Sequence, residues 1–292
     1  MSDTDVPALV TPEWLEPRLD DPDLRVVDCT VYLRTDADGE LRAESGRSDW
    51  AEKHIPGSVF VDLIEDLSET DDPEYAFQLP EPAAFAAEME AAGIGDDTRV
   101  VAYDDPSDDR SNEWAARLWW MLRAFGHDEV SVLDGGLTRW VDEGRPTTAA
   151  APATREVTFT PEFRPELVAG KDDVLAYTSA DTDAGACVLN ALRPADHETS
   201  RIPNTDNVPA VGDSAVIDPE TNTYRSKNEL RERFEAVGAT GEDRVVTYCG
   251  GGIAASSTAL AAYTAGIEDI AVYDGSLREW RSDPDLPLEG DS

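Results

Sequence analysis

The feature that most constrains this chain is that it carries one pattern twice. Val100-Val101-Ala102-Tyr103-Asp104, behind the charged turn Asp97-Thr98-Arg99, returns 145 positions later as Val245-Val246-Thr247-Tyr248-Cys249 behind Glu242-Asp243-Arg244. Val132-Leu133-Asp134-Gly135-Gly136-Leu137-Thr138-Arg139-Trp140 returns as Val272-Tyr273-Asp274-Gly275-Ser276-Leu277-Arg278-Glu279-Trp280, now only 140 positions later. The second copy is therefore five residues shorter between these landmarks. Upstream, Val26-Val27-Asp28 pairs with Val188-Leu189-Asn190, and His54-Ile55-Pro56-Gly57 with Arg201-Ile202-Pro203-Asn204. Four landmarks in one order imply an internal duplication, and 292 residues accommodate two domains of about 100–150 residues.

Short apolar, β-rich runs at Arg25–Cys29, Arg99–Tyr103 and Val130–Leu133 alternate with helical patterns, which predicts βα units around a parallel sheet. In the first copy, Ser111 or Asn112 is placed to cap a helix with Trp114, Leu118 and Leu122 on one face and Gly126 as its stop. The counterpart helix is expected from about Ala255 to Ala265, ending at Gly266. Thr147 to about Lys171 is rich in Ala, Thr and Pro and reads as an extended connection. The expected organisation is an α/β domain at 8–148, a linker at 149–173 and a second α/β domain at 174–290. In each, a small, largely parallel sheet is flanked by helices.

Composition narrows the partners. A net charge of −38, from 62 acidic and 24 basic residues, is spread over the whole chain, yet the hydrophobic fraction of 40% leaves enough for two cores. With three Lys beside 21 Arg, this reads as halophilic adaptation to a cytoplasm of high salt, where screening weakens repulsion between carboxylates. Such a field repels phosphate backbones, so neither nucleic acid nor an anionic membrane is an expected partner. Cys29, Cys187 and Cys249 form no CxxC pair and no metal-ligand spacing with the three histidines, so no disulfide framework, metal or cofactor is expected. The N-terminal segment lacks the basic and apolar stretches of a signal peptide, and cytoplasmic residence is the expectation.

The chemistry concentrates where the second copy is shortened. The first copy's strand runs into an acidic loop beginning Asp104-Asp105 without a thiol, histidine or glycine cradle. The second copy's strand ends at Cys249, and Gly250-Gly251-Gly252 lead into Ile253-Ala254 and a helix of small residues. Three glycines let backbone N–H groups converge beside a helix N-terminus, a combination that favours an anion. A thiolate there is expected to have a depressed pKa, and the same donors would hold a persulfide. A Cys-x5-Arg phosphatase loop is excluded because Ala255 stands six residues after Cys249. No GxSxG, Walker A or GxGxxG motif is present. Cys29 and Cys187 sit in apolar runs and read as core, as do Trp140 and Trp280.

His54-Ile55-Pro56-Gly57-Ser58-Val59-Phe60, Leu118 to His127, Leu133 to Leu137, Cys249 to Ala255 and Tyr273 to Ser276 together resemble the tandem-domain rhodanese sulfurtransferases, over nearly the whole chain. The resemblance implies two rhodanese-like domains, of which the first is an inactive copy, and a site at their interface. It implies that Cys249 takes sulfane sulfur from a small anionic donor as a persulfide and passes it to a thiophilic acceptor such as cyanide. Gly250, Gly251, Gly252, Ile253 and Ala254 would then cradle the substrate. Arg193 stands one position from the family's usual arginine, and Arg201 replaces the histidine of the second His-Ile-Pro-Gly; both become candidates for the donor anion. His54 corresponds to a histidine taken to act with a loop serine, but Gly251 stands where that serine would be. Thiosulfate is the expected donor. 3-Mercaptopyruvate is the alternative, favoured by the Cys-Gly-x-Gly form of the loop. A non-catalytic rhodanese-like binding module is a third reading, suggested by Asn190, Leu192 and the absent serine.

Overall fold

The structure is a computed structural model that describes residues 7–35, 41–71, 73–105, 113–179, 185–212 and 214–290. The chain divides into two compact units: Met1–Thr70, Leu79–Phe163 and Thr221–Thr223 in one, and Asp71–Gln78, Arg164–Glu220 and Tyr224–Ser292 in the other. The division after Phe163 falls inside the expected linker, which also contains the strand Val168–Ala169 and the start of the helix Lys171–Thr178.

The first unit's sheet has five parallel strands in the spatial order Leu9–Val10, Val130–Leu133, Arg99–Tyr103, Leu24–Asp28, Val59–Phe60. The second unit repeats it strand for strand as Val168–Ala169, Ile270–Tyr273, Arg244–Tyr248, Ala186–Asn190, Asp206–Asn207, again all parallel. The first strand predicted at Arg25–Cys29 lies one residue earlier, and the other two stand at the predicted residues. Leu24–Asp28, Val130–Leu133 and Ile270–Tyr273 are buried at every position, as a parallel sheet covered by helices on both faces requires.

Helix Glu113–Ala124 packs on Arg99–Tyr103 and Val130–Leu133. Its expected single apolar face is an underestimate, since eleven of its twelve residues are buried, Glu113 and Arg117 among them. The Arg117 guanidinium lies 4.6 Å from the Trp120 ring centroid, so the charge is taken up by an aromatic face. The predicted caps Ser111 and Asn112 lie outside the described residues. The counterpart helix, Ile253–Ala265, begins two residues earlier than expected and ends at Gly266 in the left-handed conformation. No helix among the described residues is long and apolar enough to cross a membrane.

The duplication extends to individual hydrogen bonds. The Tyr103 hydroxyl accepts the Ile55 N–H and meets the Ser58 hydroxyl, just as the Tyr248 hydroxyl accepts the Ile202 N–H and meets the Thr205 hydroxyl. The indole N–H of Trp140 donates to the Pro146 carbonyl, and that of Trp280 to the Pro287 carbonyl. Both indoles are fully buried core anchors, as predicted. Cys29 is core too, whereas Cys187 is only half-buried, because its strand lies beside the short edge strand Asp206–Asn207.

The pair Asp28 and Asn190 shows what the copies share and where they differ. The Asp28 Oδ1 accepts the Thr30 N–H at 3.0 Å, and the Asn190 Oδ1 accepts the Leu192 N–H at 2.8 Å, so the same turn is closed by a carboxyl in one copy and an amide in the other. Burial pushes the Asp28 carboxyl up to about 6, against the opposing hydrogen bonds from Thr30. Its folded value thus lies above its unfolded one, and the stability it contributes at low pH is lost as pH rises from about 4 to about 6. Asp28→Asn is expected to remove that loss. It should stabilise the first unit at neutral pH by on the order of 2 kcal/mol and flatten the acid limb of its stability profile. Urea unfolding across pH at high salt measures both.

Candidate active site

Strand Arg244–Tyr248 delivers Cys249 to the carboxyl end of the second sheet, where open α/β sheets place their ligands. Cys249 is only 3% exposed. Its carbonyl accepts the Leu277 N–H at 3.1 Å, and the Gly250 carbonyl accepts the Arg278 N–H at 3.0 Å, so the loop is stitched to the start of the helix Ser276–Ser282. Gly252 then takes φ +82°, a left-handed turn that a side chain would strain, and the chain enters the 13-residue helix Ile253–Ala265.

Ser276 organises this turn. Its hydroxyl accepts the Cys249 N–H at 3.1 Å and the Gly252 N–H at 3.2 Å while donating to the Tyr273 carbonyl at 2.7 Å. It does so from φ +50°, a conformation that its counterpart Gly136 adopts at φ +57°. The amides of Gly250, Gly251, Ile253 and Ala254 have no acceptor among the described residues. Unmatched N–H groups at a helix N-terminus form an electropositive concavity suited to an anion. Further along the helix, Ser256, Ser257 and Thr258 are fully buried. Their hydroxyls are engaged with the Gly252 carbonyl, the Tyr224 hydroxyl and the Val208 carbonyl respectively, which holds the helix rigidly behind the loop.

The first copy shows the same position already filled. The Asp104 side chain is buried, and its Oδ2 accepts the Trp114 N–H at 2.9 Å and the Ala115 N–H at 3.1 Å. Its carbonyl accepts the Leu137 N–H at 2.9 Å, matching the Cys249 to Leu277 bond. A carboxyl therefore occupies the helix N-terminus that the second copy leaves open.

Of the residues singled out from sequence, Cys249, Gly250, Gly251, Gly252, Ile253 and Ala254 form this one site. Arg193 is exposed, with its side chain against Gly212. Arg201 is bridged through its backbone to Glu289, and its guanidinium lies 3.3 Å from the Glu289 carboxylate. Among the described residues no hydrogen bond or ion pair joins either arginine to the loop. His54 belongs to the first unit, where its Nδ1 lies 2.6 Å from the Trp50 carbonyl and its Nε2 3.2 Å from the Ala150 carbonyl, with the ring stacked on Trp50. Both ring nitrogens thus face backbone carbonyls, of which the single N–H of a neutral imidazole can serve one. Sequence reasoning missed Ser276, although the one substitution between Asp-Gly-Gly-Leu and Asp-Gly-Ser-Leu marks it: a serine kept where the first copy needs glycine requires a bond that compensates the strain.

The other thiols sit in unfavourable settings for ionisation. Burial pushes Cys29 well above the ordinary thiol range, with Asp104 and Asp28 adding to the effect, and pushes Cys187 up to about 11, with Asp206 and Asp243 contributing.

The profile of the Rhodanese-like domain matches residues 11–143 and 176–283. The thiosulfate sulfurtransferase of Gallus gallus is 33% identical over 94% of this chain and 93% of its own length. The 3-mercaptopyruvate sulfurtransferase of Escherichia coli K12 is 31% identical over 95% and 96%. The crystal structure of SseA from Escherichia coli, a 3-mercaptopyruvate sulfotransferase, superposes with a TM-score of 0.77 at 29% identity, covering 92% of this chain and 98% of that one. The chain belongs to the rhodanese-like family, with two of its domains in tandem. Within that family it is a sulfurtransferase.

Ser276→Ala is expected to leave the Cys249 and Gly252 amides without their acceptor. That should destabilise the second unit by about 1–3 kcal/mol, read as a lower unfolding midpoint. The Cys187 thiolate fraction should rise about tenfold per pH unit between about pH 8 and 10, followed as the iodoacetamide labelling rate of its peptide.

Proposed function

We infer that the protein moves sulfane sulfur from thiosulfate to a thiophilic acceptor such as cyanide through a persulfide on Cys249. The observation that carries this reading is the set of acceptor-free amides at Gly250, Gly251, Ile253 and Ala254 around the cysteine at the strand end. The Cys249 thiolate attacks the outer sulfur of thiosulfate, a sulfur–sulfur bond forms, and the donor's own sulfur–sulfur bond breaks with the electron pair leaving on sulfite. Cyanide then attacks the outer sulfur of the persulfide, thiocyanate departs, and the thiolate returns. Each anionic species on the cysteine is suited to the loop's N–H groups and to the positive end of the following helix. A buried setting shields the persulfide from competing reactions.

Gly250, Gly251, Gly252, Ile253 and Ala254 act through their backbones in this reading. Arg193 is exposed beside Gly212 and is kept as a candidate for the incoming anion, whereas the Arg201 guanidinium lies beside the Glu289 carboxylate and the His54 ring nitrogens face two carbonyls. The second reading, with 3-mercaptopyruvate as donor, is supported by glycine at both 250 and 252 and by the absence of any basic side chain in the loop itself. Cytoplasmic residence, read from the acidic composition, accompanies the proposal.

Incubation with thiosulfate, and separately with 3-mercaptopyruvate, at high salt is expected to add one sulfur atom to the Cys249 peptide. Cyanide should remove it, and Cys249→Ser should never acquire it, both followed by mass spectrometry. A Cys249 peptide unmodified by either donor would overturn the reading.

A further inference from the structure

The loop from Cys249 to Ala254 has no charged side chain, but the Arg278 side chain lies beside Gly251. The Arg278 side chain comes from the helix Ser276–Ser282, whose backbone is bonded to the loop through Arg278 N–H and the Gly250 carbonyl. A Cβ placed on Gly251 would stand 3.4 Å from Arg278 Cδ and 3.7 Å from both Nε and Nη1. The arginine thus fills the volume into which a side chain at position 251 would project.

Its surroundings leave the charge available. The Arg278 Cζ lies 5.3 Å from the centroid of the Phe77 ring, an aromatic face that orients a guanidinium without neutralising it. Phe77 holds φ +65°, and it belongs to Asp71–Gln78, which is grouped with the second unit. In the same segment the Tyr75 hydroxyl donates to the Asp274 Oδ2 at 3.2 Å. Asp274 is thus engaged with Tyr75, and Glu279 is half-buried, with burial raising its carboxyl above the usual range. Among the described residues no carboxylate lies within ion-pair distance of Arg278. Arg47, Arg99, Arg139, Arg145, Arg225 and Arg244 all hold carboxylates, whereas Arg278 is exposed without one among the described residues, so its charge is accessible to an anion arriving from solvent.

The geometry points to Arg278 as the donor-binding residue of the site: its planar fork grips the oxyanion end of the sulfur donor while the transferable sulfur is presented to Cys249. The class of ligand is a small anion whose charged oxygens lie within a few bonds of the departing sulfur, a sulfonate-like group in thiosulfate or a carboxylate in 3-mercaptopyruvate. Two donors in a rigid plane suit either group. A Cβ at position 251 would meet the guanidinium at ordinary van der Waals distance, and a longer side chain there would compete with it for the same space. This assignment rests on the reading of Cys249 as the sulfur carrier.

The test compares wild type, Arg278→Gln and Arg278→Lys. In Arg278→Gln the KM for the preferred donor should rise about tenfold or more with kcat much less affected, and Arg278→Lys should recover part of the loss. The donor whose KM moves is the one the guanidinium holds. A second readout needs no turnover: the Cys249 peptide is labelled with anionic iodoacetate and with neutral iodoacetamide. Arg278→Gln should lower the iodoacetate rate about tenfold and leave the iodoacetamide rate unchanged. An unchanged donor KM together with an unchanged ratio of the two labelling rates would overturn the assignment. Failure of wild type to take up sulfur from either donor would instead sink the sulfurtransferase reading, while the labelling ratio would still decide whether Arg278 attracts anions to the loop.

Discussion

In both copies the carbonyl of the residue that ends the central strand accepts the backbone N–H of a leucine in the next βα turn: Asp104 from Leu137, and Cys249 from Leu277. Backbone bonds of this kind do not depend on which side chain the strand-end residue carries. The exit of the strand and the start of the later helix are tied together before anything is said about the loop between them. The segment from strand end to first helix is then free to change in length and chemistry without disturbing the sheet. One copy has used that freedom to place a carboxyl, the other a thiol.

Much of this was legible in the sequence, because the repeated contacts use side chains that announce themselves. A tyrosine at the strand end, an Ile-Pro turn and a tryptophan after Asp-Gly recur at matching positions, and each makes the same bond in both units. The thiol loop was legible for the same reason, as a run of glycines where the first copy has acidic residues. Cys187 and the helix beginning at Ile253 were misjudged at the margins, since exposure at a sheet's flank and the first turn of a helix depend on neighbours far along the chain.

What stayed hidden came from side chains that act at a distance from their own motif. Ser276 stands within its own Asp-Gly-Ser-Leu turn, but its hydroxyl binds two amides of the loop that begins 27 residues earlier. Arg201 replaces the histidine of the repeated turn, and nothing in that substitution signals that its guanidinium lies 3.3 Å from the Glu289 carboxylate. Asp71–Gln78 gave no sign in its composition that it would be grouped with the second copy. In each case the deciding partner lies far along the sequence, where periodicity and spacing carry no information.

The buried carboxyl of Asp104 has a consequence for how the two halves respond to work. The first unit carries the counter-charge for its helix N-terminus covalently, so its folded state is complete at all times. In the second unit the amides of Gly250, Gly251, Ile253 and Ala254 have no acceptor among the described residues, and an anionic sulfur species held there, as proposed, would link ligand binding to folding in a way its twin does not need. The duplicated architecture therefore contains one helix N-terminus filled by its own carboxyl beside one with no acceptor among the described residues. On the proposed chemistry, local opening of the second loop follows its occupancy by the anion, while the first stays constant.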